Sequence, residues 1–379
     1  MNGRRMAVDV AVIGLGATGS AALHQLAKRG LRVVGFEQFA PGHDRGSSHG
    51  ETRIIRLGYF EHPSYVPLVR AAIPLWRALE RESGQALLHV TGILEMGAPD
   101  GTLVAGTLRA AQAHGRAHEV LDAANVMGRF PAFRLPPHFV GVFQPEGGIL
   151  AAELAIQAQL ALAAAAGAEV RTNETVRAIE PTAAGVRVIT ERDAIDAGQV
   201  VVAAGPWVKQ LLPDLSVPLR VTRQVVGWFE PAEAALLARE RCPVYLIEND
   251  AGVFYGFPAG PKPGVKFAKH HHGDETVDPA GPARPVDDAD VALLRAALAA
   301  HVPAANGRLV EAQTCRYTMT PDGDFILDRL PGAPAILVAS PCSGHGFKFA
   351  PVIGDILADL ATRGATRHDT SRFRLARFS

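Results

Sequence analysis

The feature that most constrains this chain is a glycine turn set between a buried strand and an amphipathic helix close to its start. Residues 8–13 read as the strand. Gly14, Gly16 and Gly19 follow in the order G-x-G-x-x-G, and the helix runs over 17–29 to Gly30. A second strand, 31–36, ends at Glu37. Gly14 permits the tight turn, Gly16 lets a pyrophosphate approach the backbone, and Gly19 lets the helix lie close on the strand. The helix N-terminus offers unpaired N–H groups and the positive end of its dipole to that anion. Glu37 stands where a carboxylate accepts bonds from a ribose diol and repels a 2′-phosphate, which disfavours NADP. This context marks a dinucleotide-binding unit, but it does not separate FAD from NAD.

The chain has 379 residues, 48% of them hydrophobic, enough for two domains and a sizeable core. Lysine plus arginine and aspartate plus glutamate number 38 each. Zero net charge supports neither nucleic acid nor a membrane surface as a partner. Cys242, Cys315 and Cys342 are too few and too scattered for a disulfide framework or a zinc site, which fits a reducing compartment. Asp9 interrupts any signal-like apolar run before the glycine turn. The alanine-rich stretch 154–166 carries Gln157 and Gln159 and reads as a packed helix rather than a membrane span. A cytoplasmic protein is expected.

A polar loop, 38–51, precedes a helix over 65–82, on which Val69, Ile73, Trp76 and Leu79 form one apolar face. Short strands are expected within 88–96 and 141–143, then a helix over 152–166 and a strand over 169–171. Strands 185–190 and 199–204 follow, and 217–273 reads as several antiparallel strands. A helix over 288–300 lies behind the proline-rich 279–285, and aspartates supply its N-cap. Strands 313–318, 325–327 and 336–339 lead to a last helix over 351–361. This order predicts an α/β fold, α+β overall. A Rossmann-like domain is assembled from 1–84, 148–217 and 322–379, and an antiparallel-sheet domain is inserted as 85–147 and 218–321.

Four further segments carry candidate chemistry. In 46–56, Arg53 and Arg56 flank two isoleucines. Extended, the two side chains point to opposite faces; in a helix they share one. As surface groups they would pair with Glu51 or Glu61. Lys266, between Val265 and Phe267, is either half-buried, where its charge acts strongly, or a snorkelling edge residue. In the run His270, His271, His272 a strand puts only His270 and His272 on one face, and no third ligand completes a metal site. Cys315 on its own reads as a small buried hydrophobe. The loop Ser343-Gly344-His345-Gly346-Phe347-Lys348 feeds a helix with Pro351 near its start and suits an anion. The one G-x-S-x-G spelling, Gly46-Ser47-Ser48-His49-Gly50, lies in the polar loop and not on a strand-to-helix turn, which argues against a serine hydrolase elbow.

In this order the segments resemble the monomeric sarcosine oxidase family, which includes N-methyltryptophan oxidase and the sarcosine/pipecolate oxidases, over nearly the whole chain. The resemblance implies that the Rossmann-like domain binds FAD on the fingerprint, with contacts from Thr52, Val176, Gly205, Gly344, Gly346 and Lys348. It implies attachment of the flavin 8α-methyl group to Cys315. Arg56 and Lys348 become the pair that holds a substrate carboxylate, and Lys266 the oxygen-activating residue, with Arg53 near the same flavin face. Tyr255 and His270 fall in the substrate pocket and His49 near the flavin edge.

The implied enzyme is a monomer that takes a small amino acid and O2. A secondary, N-methyl amino acid is oxidised as its neutral amine to an imine, which water hydrolyses to an amino acid and formaldehyde, while O2 becomes H2O2. Arginine offers a carboxylate a bidentate fork, and a cation at Lys266 stabilises charge as it develops on oxygen. Leu246 replaces a methionine of the sarcosine enzymes, and Leu57, Gly58, Phe60 and His62 also differ beside the arginines. These departures leave a larger or cyclic substrate (N-methyltryptophan, pipecolate, proline) as an alternative. A second alternative is a flavin dehydrogenase with a non-oxygen acceptor. Arg56 and Lys348, taken as two unpaired buried cations, argue for an anionic ligand.

Overall fold

A computed structural model describes residues 7–378. Val10, Val12 and Ile13 make the first strand, Ala7–Ile13, apolar enough to sit inside a sheet covered on both faces. Parallel to it lie Val33–Glu37 and then Glu169–Thr172 on one side, and Ala194–Val202 on the other. The strand Ala194–Val202 forks. Its first half pairs with the antiparallel Gly185–Thr190, and its second half with the parallel Ala333–Ser340. Val176–Thr182 and Ile326–Leu330 complete the eight-stranded sheet. The helix Ala17–Lys28 packs on Ala152–Ala165 and Ala350–Arg363. Gly19 makes the close approach of helix to strand possible, because a Cβ there would lie 1.7 Å from the Gly14 carbonyl oxygen.

A second eight-stranded sheet runs in the order Leu309–Met319, Arg220–Phe229, Val265–Lys269, Gly252–Gly256, Val244–Asn249, Ile93–Gly97, Val140–Gln144, Glu119–Asp122. All its pairs are antiparallel except Val244–Asn249 with Ile93–Gly97, which is parallel. That pair joins strands from two separate excursions of the chain, so no hairpin dictates its direction. The helix Asp288–His301 packs against this sheet, and Asp287 and Asp290 close a capping box at its start. A three-stranded sheet, Thr52–Ile55, Gly148–Ala151 and Leu88–Val90, completes the set. The helices Thr102–Ala113 and Ala123–Arg129 fill a region that the sequence pattern leaves unassigned. No helix among the described residues is long and apolar enough to cross a membrane.

Candidate functional site

The parallel strands of the first sheet end together, and a cavity of about 380 Å³ crosses their carboxyl ends and continues to the second sheet. At one end its wall holds Gly14, Gly16 and Glu37, with Val176 and Gly205 beside them. Gly14 has φ +86°, and a Cβ there would press on the Ala203 carbonyl oxygen at 2.7 Å. The helix Ala17–Lys28 begins at this wall without a carboxylate in its first turn. Glu37 is buried and accepts from Leu15 N at 3.0 Å and Phe39 N at 3.1 Å, which fixes its carboxylate at the cavity. Two buried polar atoms on residues of the wall, Ser47 Oγ and His49 Nδ1, have no protein partner. A long ligand with a pyrophosphate and polar ring edges fits this donor set and these bare glycines.

The polar loop before Thr52 is tied down by cations acting on its carbonyls. Arg53 donates to Ser47 O and His49 O at 2.8 and 2.7 Å, and Arg316 to Arg45 O at 2.8 Å. Lys266 donates to Gly50 O at 2.7 Å and Thr52 O at 2.8 Å, with Thr52 Oγ1 at 3.4 Å. Lys266 is therefore fully buried rather than snorkelling, and it and Thr52 stand behind the cavity wall, not in it. Burial, and then the charge of Arg53, drive its ammonium well below the usual lysine range. His49 donates from Nε2 to Thr314 O at 2.9 Å, and burial depresses its pKa to about 4.

At the far end the wall holds Arg53, Arg56, Tyr255, His270, Cys315 and Lys348, with Gly344 and Gly346 between. The single odd spacing does not keep Arg53 and Arg56 apart, because the strand stops at Ile55 and Arg56 turns back to the cavity. Arg56 is not an unpaired cation. Its Nη2 reaches both Glu61 oxygens at 2.6 and 2.5 Å, its Nη1 donates to Gly58 O, and its guanidinium lies over the Tyr59 and Phe60 rings. The Glu61 pairing foreseen at the surface is thus a buried one. Burial opposes the Glu61 charge, but Arg56 together with His345 and Lys348 outweighs it and holds this carboxyl at about 2. Lys348 donates to His345 O at 2.8 Å, and burial followed by the charge of Arg56 lowers its pKa to about 7.

His270 and His272 do not share a face. His271 has φ +56° and turns the chain, so His270 lines the cavity while His272 donates to Asp290 Oδ1 at 2.9 Å. Burial and then His271 push the His270 pKa well down, and burial lifts Tyr255 to about 12, so the pocket presents a neutral imidazole and a neutral phenol. Cys315 is buried on the wall, with Cys342 also lining it. Two residues at this end, Tyr59 and Glu95, belong to none of the motifs in the sequence. Tyr59 shares a 2.6 Å hydrogen bond with His345 Nδ1. Glu95 is fully buried behind Arg56. Its signal was a lone carboxylate in an otherwise apolar strand.

Residues 9–360 match the model of the FAD dependent oxidoreductase family. The chain is 42% identical to a monomeric sarcosine oxidase of Streptomyces avermitilis over 374 residues, covering 96% of each chain. It is 36% identical to an N-methyl-L-tryptophan oxidase of Yersinia pestis, covering 98% of this chain and 100% of that one. Among solved structures it is similar to NikD, an unusual amino acid oxidase essential for nikkomycin biosynthesis, with a TM-score of 0.86, 30% identity and 97% of both chains covered.

Proposed function

Because the chain belongs to the FAD-dependent oxidoreductase family, together with the monomeric sarcosine oxidases and N-methyltryptophan oxidases, we propose that it oxidises the C–N bond of a small secondary amino acid at the expense of O2. The observation that carries this reading is the convergence of Arg56 and Lys348 on one end of a cavity whose other end is the glycine turn and Glu37. The cavity walls fit FAD. Gly14, Gly16 and the start of the following helix would take the pyrophosphate, Glu37 a ribose, and Cys315 the covalent bond to the 8α-methyl group. Bound there, the flavin supplies the two-electron acceptor that the side chains lack.

Arg56 and Lys348 hold the substrate carboxylate, which must take the place of Glu61 on the guanidinium. Fixing the carboxylate places the amine beside His270 and Tyr255. Both are neutral by burial, so the substrate amine loses its proton without facing a new cation there. Ile54, Phe60, Leu246 and Phe257 give the wall an apolar side that excludes water and receives the rest of the substrate. Sarcosine, O2 and water would give glycine, formaldehyde and H2O2. That apolar wall, with Leu246 in it, also favours a larger or cyclic amino acid as a second reading. Anaerobic addition of sarcosine, N-methyltryptophan, pipecolate and proline to the holoenzyme, each followed by air, tests both. Bleaching of the flavin with one of them, and colour plus peroxide on admitting air, is the expected result. No bleaching with any of the four would overturn the reading.

A further inference from the structure

Arg56 faces two carboxylates, and only one lies in the cavity. Glu61 lines it, whereas Glu95 is fully buried and off the wall. Glu95 sits in Ile93–Gly97 of the second sheet, paired in register with Leu246, so the two side chains share the face turned to the cavity. Glu95 Oε2 accepts from Gln144 Nε2 at 2.7 Å, and Gln144 Oε1 accepts from Gly58 N at 2.6 Å. Through this chain Glu95 is tied to the turn that follows Arg56. Its other oxygen, Oε1, lies 3.9 Å from Arg56 Nε and makes no hydrogen bond.

We propose that Glu95 is the residue that sets the charge of the carboxylate subsite: when ionised it adds a second negative charge behind Arg56 and weakens the pocket's hold on an anionic substrate. The inference rests on the reading of Arg56 and Lys348 as that subsite. With Glu61 and Glu95 both charged, Arg56 and its two carboxylates carry a net negative charge, and with Glu95 protonated the group is neutral. With Glu95 protonated, an incoming carboxylate has only Glu61 to displace. At these distances inside a protein a unit charge changes the affinity of a neighbouring anion by about tenfold or more. The groups facing Glu95 are Arg56 and Glu61 from the turn above, Lys348 from the last loop, the Thr107 hydroxyl from the helix Thr102–Ala113, and the Gln144 amide from the adjacent strand. Burial raises the Glu95 pKa against the pull of Arg56, to about 7, so the change falls in the physiological range.

The test is calorimetric titration of the holoenzyme with propionate, a carboxylate with no amine to oxidise, between pH 6 and 9. Above pH 7 two groups then weaken binding in the wild type, Glu95 by gaining charge and Lys348 by losing it. In Glu95→Gln one ionisation disappears from the profile, and at pH 8.5 propionate binds about tenfold more tightly than to the wild type. In Lys348→Met, which leaves Glu95 in place, one ionisation near neutrality remains. A Glu95→Gln profile parallel to that of the wild type, or a flat profile in Lys348→Met, overturns the proposal while leaving the carboxylate subsite standing. Propionate binding that Arg56→Met leaves unchanged overturns the subsite itself, and the role of Glu95 with it.

Discussion

Arg56 and Glu61 form a closed ion pair across the turn between them, one guanidinium nitrogen reaching both carboxylate oxygens at 2.5 and 2.6 Å. The pair occupies the hydrogen-bonding fork that a substrate carboxylate needs, so Glu61 competes with substrate for Arg56. Glu61→Gln removes the competitor's charge. Propionate and the true substrate are expected to bind several-fold more tightly. The free protein loses stability, on the order of 3 kcal/mol, because a buried cation is left with less compensation. Isothermal titration and a melting curve read the two effects separately. Weaker anion binding in the variant would show that Glu61 orients Arg56 rather than blocking it.

What the sequence makes legible follows from how local each constraint is. The glycine fingerprint is readable because its steric demands lie within a few residues: a Cβ on Gly19 would meet Gly14 itself. The burial of the Arg56–Glu61 pair is not readable, because its cover is assembled from afar. Gln144 reaches Gly58 across 86 positions and Glu95 across 49. Glu95 lies in a strand whose other residues are all apolar or glycine, and its partners are named only once the sheet is folded. The helix Thr102–Ala113 is not legible in the sequence because Gly106 weakens its pattern. The glycine is needed there, since a Cβ would come within 2.6 Å of the Phe60 carbonyl oxygen.

Lys266 has two jobs to separate. Its ammonium clamps the loop through Gly50 O and Thr52 O, and the resemblance to the sarcosine oxidases implies a second role toward oxygen. Lys266→Met removes both. The clamp reports in the melting temperature, which is expected to fall. The oxygen role reports in the ratio of the half-reactions: stopped flow should show the reaction with O2 slowed on the order of 10²-fold or more, and reduction by substrate slowed far less. Equal slowing of both would leave Lys266 as a loop clamp only.

Cys315 lines the cavity from the strand Leu309–Met319 and forms no disulfide. If it carries the flavin, Cys315→Ala yields folded protein whose flavin is absent or is released by acid precipitation. The wild-type flavin stays with the polypeptide under the same treatment. Cys315→Ala removes one sulfur atom at the wall of an existing cavity, so the variant is expected to stay folded, with little change in melting temperature beyond that caused by the loss of flavin. Flavin that remains covalently bound in the variant would move the attachment elsewhere, and Cys342, on the same wall, would be the next thiol to replace.

Acid should unfold this protein through its buried imidazoles. His49 and His345 are held at about 4, each chiefly by burial, against 6.5 for the free side chain. Both make hydrogen bonds suited to the neutral form: Nε2 of His49 donates to Thr314 O, and Nε2 of His345 to Gly323 O. A group whose folded pKa is depressed adds stability that is present above its unfolded pKa and lost as pH falls toward the folded one. The unfolded chain takes up these protons below pH 6.5 while the folded chain resists until about 4. Stability therefore drops across that window, by roughly 3 kcal/mol for each histidine. Melting curves from pH 7 to 4 read this slope. In His345→Gln the drop between pH 6.5 and 4 is expected to shrink by roughly 3 kcal/mol, the share of one histidine, and an unchanged slope would place the acid sensitivity in other groups.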